Sequence, residues 1–528
     1  MSNRTQERIY WAFALTACAV LGGAAVWMGG LNQDEGWYLY AANLVSEGNV
    51  PYRDFAFTQG PVMPYVYAAF SLVWKTFGLL GARVFTLLIG LLGVVFATRL
   101  ARRLAPEGAK DAAALVAFFL LATNLYHLYY LAIPKTYALA SLFVLAGFWS
   151  MGTDGGLAHT AQNKTPRPVW SLFGSLVAGL CFALAAGTRI SLGAILPVVG
   201  VWLLWRCFRG GPGAHAPASG ASPLADLIAF CVGGFGGLAV VYGPFLLSPS
   251  LREGLVAAQS YHAARGGFDP TWTVGSLSRL VRWYLPVFLV LGLGSFRHAR
   301  VLLAAFLAVF CVQMLAPFPY EDYQVPVMAL LAVFAASNFF EKSADGAADG
   351  RTGKKEEGTG NKFGGKLLLV LGVCYAAAFG SPLLEQWTTN GKDRFWSLKK
   401  DRTELAQLRD VAALLESIDP GGKTLLTQDL YLAVEMNRKV PSGLEMGPFS
   451  VLTDLEWRNL LTTTECPLAA LSGYTFAIEP PKCNERSMAL QMDYWNLLKR
   501  RYSLVAREES FGQGATPLLI LMRKEDAK

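Results

Sequence analysis

The chain has 528 residues, 53% of them hydrophobic, 12% aromatic and only 16% charged, a balance too apolar for a soluble protein and a length too great for one domain. Its formal net charge of +8 does not point to nucleic acid, because Lys and Arg fall in short clusters between long apolar runs. That is the pattern the positive-inside rule produces in a polytopic membrane protein.

The first apolar run, Tyr10 to Gly30, follows Arg4 and Arg8 and has the flanks of a signal peptide. It is about as long as a bilayer span, roughly 20 residues, and lacks a small-x-small cleavage site, so it is expected to be retained as a transmembrane helix. Directly after it come Gln33-Asp34-Glu35-Gly36-Trp37-Tyr38. Two adjacent carboxylates at the mouth of a helix are costly at membrane depth, about 2.5 to 3.5 kcal/mol each on insertion scales, so a chain that keeps them there has a use for them. Plain interfacial acids are the bland account. Against it, Trp37, Tyr38 and Tyr40 form an aromatic cluster suited to the headgroup zone and to stacking on sugars. A carboxylate in such a place can take the proton of an incoming hydroxyl, the general-base role.

Further apolar runs long enough to span are expected at 80–98, 112–130, 134–151, 169–187, 190–207, 224–247, 283–296, 301–316, 325–341 and 366–385, eleven spans with the first. The short segment from Pro61 to Trp74 carries Pro61 and Pro64 and ends at Lys75, which fits a juxtamembrane or re-entrant helix. With the N-terminus in the cytoplasm, the clusters Arg99 to Lys110, Lys164 and Arg167, Arg206 and Arg209, Arg297 and Arg300, and Lys342 to Lys355 all fall inside; counting 61–74 as a full span puts the first of them outside. The same topology places the loop 31–79, the stretch Asn124 to Lys135, the loop 248–282, the segment Tyr320 to Tyr323 and the C-terminal tail on the outer face.

Residues 342–365 are rich in Gly, Lys, Glu, Asp and Ala without periodicity, the composition of a disordered cytoplasmic linker, and residues 1–386 form the membrane domain. From 387 to 528 the composition changes to that of a small periplasmic α/β domain. Arg402 to Ile418 has helical apolar spacing, Asp419-Pro420-Gly421-Gly422 turns into the short run Thr424 to Thr427, Thr475 to Ile478 and Pro517 to Met522 read as strands, and Met488 to Tyr502 as a helix. Six cysteines lie in apolar segments at no metal-ligand spacing; Cys466 and Cys483 fall in polar sequence and are candidates for a disulfide if the domain is exported. No internal repeat, Walker loop, G-x-S-x-G elbow or metal-spaced His/Cys set appears, which leaves inverted-repeat transport, ATP-driven transport and hydrolase chemistry without positive signs.

The first loop resembles the membrane GT-C glycosyltransferases, above all the protein O-mannosyltransferases and the lipid A aminoarabinose transferases. The residues that carry the resemblance are Asp34-Glu35 with Tyr38 and Ala41-Ala42-Asn43-Leu44-Val45, then Tyr52-Arg53-Asp54-Phe55 and Gly60-Pro61-Val62-Met63-Pro64-Tyr65. Phe77-Gly78, Arg83, Ala101-Arg102-Arg103-Leu104 and Tyr320 to Pro326 are similar to later parts of the same pattern, and the likeness covers roughly the first 340 residues. It implies a helical GT-C membrane domain that takes sugar from a polyprenyl-phosphate donor, inverts at the anomeric carbon and delivers to an extracytoplasmic protein, lipid or polysaccharide. Asp34, with Glu35 beside it, would be the catalytic acid pair. Many members carry another acid in the second external loop; here Asn124 to Tyr130, Pro134 and Lys135 include none, so a two-acid or metal-bridged arrangement is in doubt and a divalent cation is left open.

Within that reading Lys135 either snorkels to the interface or steadies a leaving phosphate. Arg189, wedged between apolar segments, is the stronger phosphate candidate, with a structural ion pair as its alternative. His262 and Arg265 lie in the longest external loop, as part of a lid over the donor or simply solvated. Glu321 and Asp322, flanked by Tyr320 and Tyr323, supply the missing acid, bind the acceptor or cap the following helix; the residues alone favour capping. The competing function is a transporter or lipid flippase in which Asp34 and Glu35 bind an ion or proton. That reading calls for acids deep within the spans, which after the first helix carry almost none.

Overall fold

The computed structural model describes residues 3–151, 168–209, 222–263, 267–296, 299–340, 359–389, 402–450, 452–476 and 485–524. It is mostly helical, with one small sheet near the C-terminus. In chain order the helices are α1 (Asn3–Met28), α2 (Gln33–Ser46), α3 (Val62–Ala68), α4 (Leu72–Leu104), α5 (Lys110–Ala122), α6 (Leu125–Ala132), α7 (Thr136–Ser150) and α8 (Pro168–Thr188). These are followed by α9 (Ile195–Arg209), α10 (Pro223–Leu247), α11 (Pro249–Ala263), α12 (Pro270–Trp283), α13 (Leu285–Leu293), α14 (Arg300–Met314), α15 (Val325–Asn338), α16 (Thr359–Phe379) and α17 (Pro382–Thr388).

Among the described residues five helices are long and apolar enough to cross a bilayer unaided, and two bent pairs, α5 with α6 at 68° and α12 with α13 at 77°, raise the number to seven. Each of the other expected apolar segments also falls on a helix: α7, α8 and α14 are apolar but shorter within the described residues, and α15 completes the set. The Asn124 side chain, which caps α6 by accepting from the His127 N–H at 3.0 Å, interrupts the run expected at 112–130. The short helix foreseen near Pro61 is α3, and α4 breaks at Gly78, whose φ of 64° and ψ of −157° are open only to glycine. All 14 residues of α15 are buried, so this helix is the axis of the bundle.

The C-terminal domain holds α18 (Glu404–Ile418), α19 (Leu430–Glu435), α20 (Asp454–Thr463) and α21 (Glu485–Arg501) around β1 (Leu468–Leu471), β2 (Tyr502–Phe511) and β3 (Thr516–Arg523). The sheet is antiparallel in the order β1-β3-β2, with Ala470 opposite Ile520 and Leu504 opposite Leu521. The helices expected from Arg402 and Met488 and the strand around Pro517 are present. Two expected strands are corrected. Thr424 to Thr427 makes only isolated bridges, and residues 473–476 form a turn, while residues 477–478 lie outside the described chain. Phe476 at φ 56° points its ring against Trp457 and Tyr494, so its hydrophobicity serves a turn anchored in the core, not a ladder.

α2 is not amphipathic, because both of its sides are covered. The membrane bundle lies on one and α19 on the other, so close that a Cβ on Gly36 would sit 2.1 Å from the Tyr431 nitrogen. The domain also caps the bundle with carboxylates: Glu404 accepts from the Leu31 N–H at 2.7 Å, and Glu435 from the Leu79 N–H at 2.6 Å, just past the Gly78 break.

Candidate active site

Asn32 begins the site. Its side chain accepts from the Asp34 N–H at 3.1 Å while Glu35 returns a bond from the Asn32 N–H at 2.9 Å, a reciprocal cap that starts α2 and fixes Asp34 in its first turn. Glu35 points the other way. Its carboxylate is fully buried and bidentate with Arg83, at 2.7 and 2.9 Å, and the same guanidinium donates to the carbonyls of Val26, Gly29 and Gly30 that end α1. Its oxygens are thus engaged at the joint between α1, α2 and α4, turned away from Asp34. The same sealing removes it as an ion or proton site for transport.

Asp34 faces a cavity of about 330 Å³. After α6 the chain turns at Ile133-Pro134, and Lys135 opens α7 with its side chain turned into that cavity, 6% exposed. Its ammonium lies 2.7 Å from Asp34 Oδ2 and 3.2 Å from Asp322 Oδ2, and Asp322 also accepts from the Tyr137 hydroxyl at 2.8 Å. Arg189 is buried between the rings of Tyr137 and Tyr323, 4.9 and 4.5 Å from their centroids, and donates to Thr136 Oγ1 at 3.3 Å. No carboxylate among the described residues forms an ion pair with it.

The 3₁₀ turn Glu321–Gln324 carries the second acidic pair. Neither acid caps α15, which has no side-chain cap; Asp322 reaches Lys135, and Glu321 pairs with Arg279 of α12 at 2.9 Å. Asp322 thus meets Asp34 across the Lys135 ammonium, from a turn 187 residues beyond that lysine. Tyr320, Glu321, Asp322, Lys135 and Arg189 all line the cavity with Asp34. The His262 side chain, Arg265 and Cys483 lie outside the described residues, and Cys466 is a buried thiol.

A divalent cation does not fit these residues. Among the described residues no three His, Cys, Asp or Glu side chains come together as a ligand set, and the lysine ammonium occupies the space between Asp34 and Asp322 that a bridging ion would take.

Residues of the C-terminal domain that the sequence did not single out complete the wall: Phe449, Tyr474 and Gln513. Gln513 sits at the β2–β3 turn and accepts from the Gln33 N–H at 2.8 Å. Gln33 in turn donates to Asp429 Oδ1 at 2.6 Å and to the Tyr431 hydroxyl at 3.2 Å. Nothing local marks these positions: Gln513 and Phe449 meet Gln33 and Trp37, several hundred residues away in the chain.

No protein-family profile matches the chain, and no curated protein matches it by sequence. Solved structures do. ArnT from Cupriavidus metallidurans bound to undecaprenyl phosphate superposes with a TM-score of 0.57 at 14% identity, covering 99% of both chains. Its apo state gives 0.57 at 15%, covering 98% of each. The archaeal oligosaccharyltransferase AglB from Archaeoglobus fulgidus, in complex with an inhibitory peptide and a dolichol-phosphate, gives 0.50 at 13%, covering 96% of this chain and 74% of its own. At such identities the likeness is one of fold alone.

Proposed function

We propose that this chain is an inverting glycosyltransferase that moves a sugar from a polyprenyl-phosphate carrier to an acceptor outside the cytoplasm, with Asp34 as general base. It would sit in a bacterial inner membrane with its N-terminus inside and the C-terminal domain in the periplasm. The acceptor's O–H gives its proton to the Asp34 carboxylate as the oxygen attacks the anomeric carbon, and the bond from that carbon to the phosphate oxygen breaks with its electron pair passing to the phosphate. Lys135 and Arg189 meet the charge that develops on the departing group from within the cavity.

The observation that carries this reading is the bridge made by Lys135. In the free protein its ammonium spans Asp34 and Asp322, with Arg189 beside it on the rings of Tyr137 and Tyr323. An arriving phosphate competes for that ammonium and loosens its hold on Asp34, so donor binding and freeing of the base are one event. The solved complexes of similar fold with undecaprenyl phosphate and with a dolichol-phosphate support a lipid phosphate as the class of donor.

Asp34→Asn keeps shape and removes basicity. Transfer in reconstituted vesicles should fall by about a hundred- to ten-thousand-fold, the usual worth of a positioned base, while undecaprenyl phosphate still binds. A variant with full transfer activity would refute the assignment.

A further inference from the structure

A second cleft adjoins the one that holds Asp34. It has a volume of about 490 Å³ and lies between residues 52–58, α11 and residues 442–449 of the C-terminal domain. Thr58 and Phe449 line both cavities, so a chain lying in the second cleft ends at the wall of the first. The two are also joined through Tyr52. This residue lines the second cleft with its backbone at φ 68°, rare for a tyrosine, and its hydroxyl donates to the carbonyl of Gln59, which lines the first. Backbone held in that region by its surroundings gathers at functional sites.

The lining chemistry narrows the occupant. Among the described residues Arg53 is its one cation, and that guanidinium is already bidentate with Asp54, both bonds at 2.9 Å. Glu445 adds a second carboxylate, which accepts from the Gly443 N–H at 2.8 Å. A phosphorylated acceptor would meet a net negative rim with no cation to spare. An uncharged polyhydroxylated chain suits the same groups. Carboxylates accept from hydroxyls, and the rings of Tyr52, Phe55 and Phe449 meet the C–H faces of pyranoses.

We propose that this cleft is the acceptor subsite and that it takes an uncharged glycan chain, whose end reaches Asp34 past Thr58 and Phe449. The inference rests on the reading of the chain as a sugar transferase. It is tested by binding, so that the two can fail separately. The purified full-length protein in nanodiscs is labelled with diazirine-bearing maltohexaose and chitohexaose, with unlabelled sugar as competitor, and undecaprenyl phosphate binding is measured on the same sample. Ala257, exposed on α11 and lining the cleft, is replaced by Trp to fill it and by Ser as a control.

Saturable labelling of residues 52–58 or 442–449 by at least one hexasaccharide is expected, reduced about tenfold or more in Ala257→Trp and kept in Ala257→Ser, with lipid binding unchanged. Failure of both glycans to label, labelling indifferent to Ala257→Trp, or preferential capture at the same residues of a diazirine-bearing phosphorylated glycolipid or peptide would overturn the inference. If lipid binding is retained in those cases, the acceptor assignment alone falls; loss of lipid binding in the unaltered protein counts against the transferase reading itself.

Discussion

The joint made by Glu35 and Arg83 gives a sharp prediction, because it separates a structural acid from a catalytic one only a residue away. Arg83 is wholly buried and makes five hydrogen bonds, two to Glu35 and three to the carbonyls that end α1. Glu35→Ala leaves a guanidinium in the interior without its counter-charge, and removing one member of a buried pair costs about 3 to 5 kcal/mol. Arg83→Met should cost at least as much, since it strands the carboxylate and three carbonyls together. The double variant Glu35→Leu/Arg83→Met removes both charges, so its loss should fall short of the sum by about 3 kcal/mol. Unfolding of the detergent-solubilised protein, followed by tryptophan fluorescence, measures all three, with undecaprenyl phosphate binding as a check on the site. A near-zero coupling energy, together with a Glu35→Gln variant that is stable but inert in transfer, would refute the structural assignment and return Glu35 to the chemistry.

Other variants probe the neighbouring parts. Lys135→Met should weaken undecaprenyl phosphate binding by about 1.5 to 3 kcal/mol, roughly ten- to a hundred-fold in Kd, with Lys135→Arg recovering much of it; an unchanged Kd would move the phosphate elsewhere. Gly78→Ala should destabilise by about 1 to 3 kcal/mol, because its backbone is closed to side chains and its Cβ would lie 2.3 Å from Glu435 Oε2; unaltered thermal stability would count against the break in α4. Burial raises the Asp429 carboxyl above its ordinary 3.8, so the unfolded chain gives up this proton at lower pH than the folded one. The stability linked to it is complete below about 3.8 and is lost as pH rises through the folded value. Asp429→Asn, which keeps an oxygen for Gln33 and Tyr431, should flatten the fall in melting temperature above that point, whereas an identical pH profile would show that Asp429 does not titrate in this window.

Part of the site was legible in the sequence because its signals are local. Asp34 stands out as an acid at the end of a span, and Lys135 and Arg189 as cations bordering apolar runs, so their cost in a bilayer marks them one residue at a time. Glu35 carries the same local signal as Asp34 and does the opposite job, because the side chains of adjacent helical residues leave the helix in different directions. Asp322 looked like a helix cap, since capping is what an acid before an apolar run usually does; its bond to Lys135 closes a gap of 187 residues that no local pattern encodes.

In the C-terminal domain the helix at Glu404–Ile418 was visible from its apolar spacing, whereas β1 hides in Leu468-Ala-Ala-Leu, four buried residues with no alternation to betray a strand. Hydropathy, which sums residue by residue, was enough to determine from sequence alone that this is a polytopic membrane protein with an acid exposed after its first helix. Which of the neighbouring acids is sealed and which faces the cavity, how the C-terminal domain completes that cavity through Tyr474 and Gln513, and where the helices break were decided only by the tertiary structure. Ion pairs and cavity walls depend on distances between segments far apart in the chain, and those distances exist only once the helices have packed.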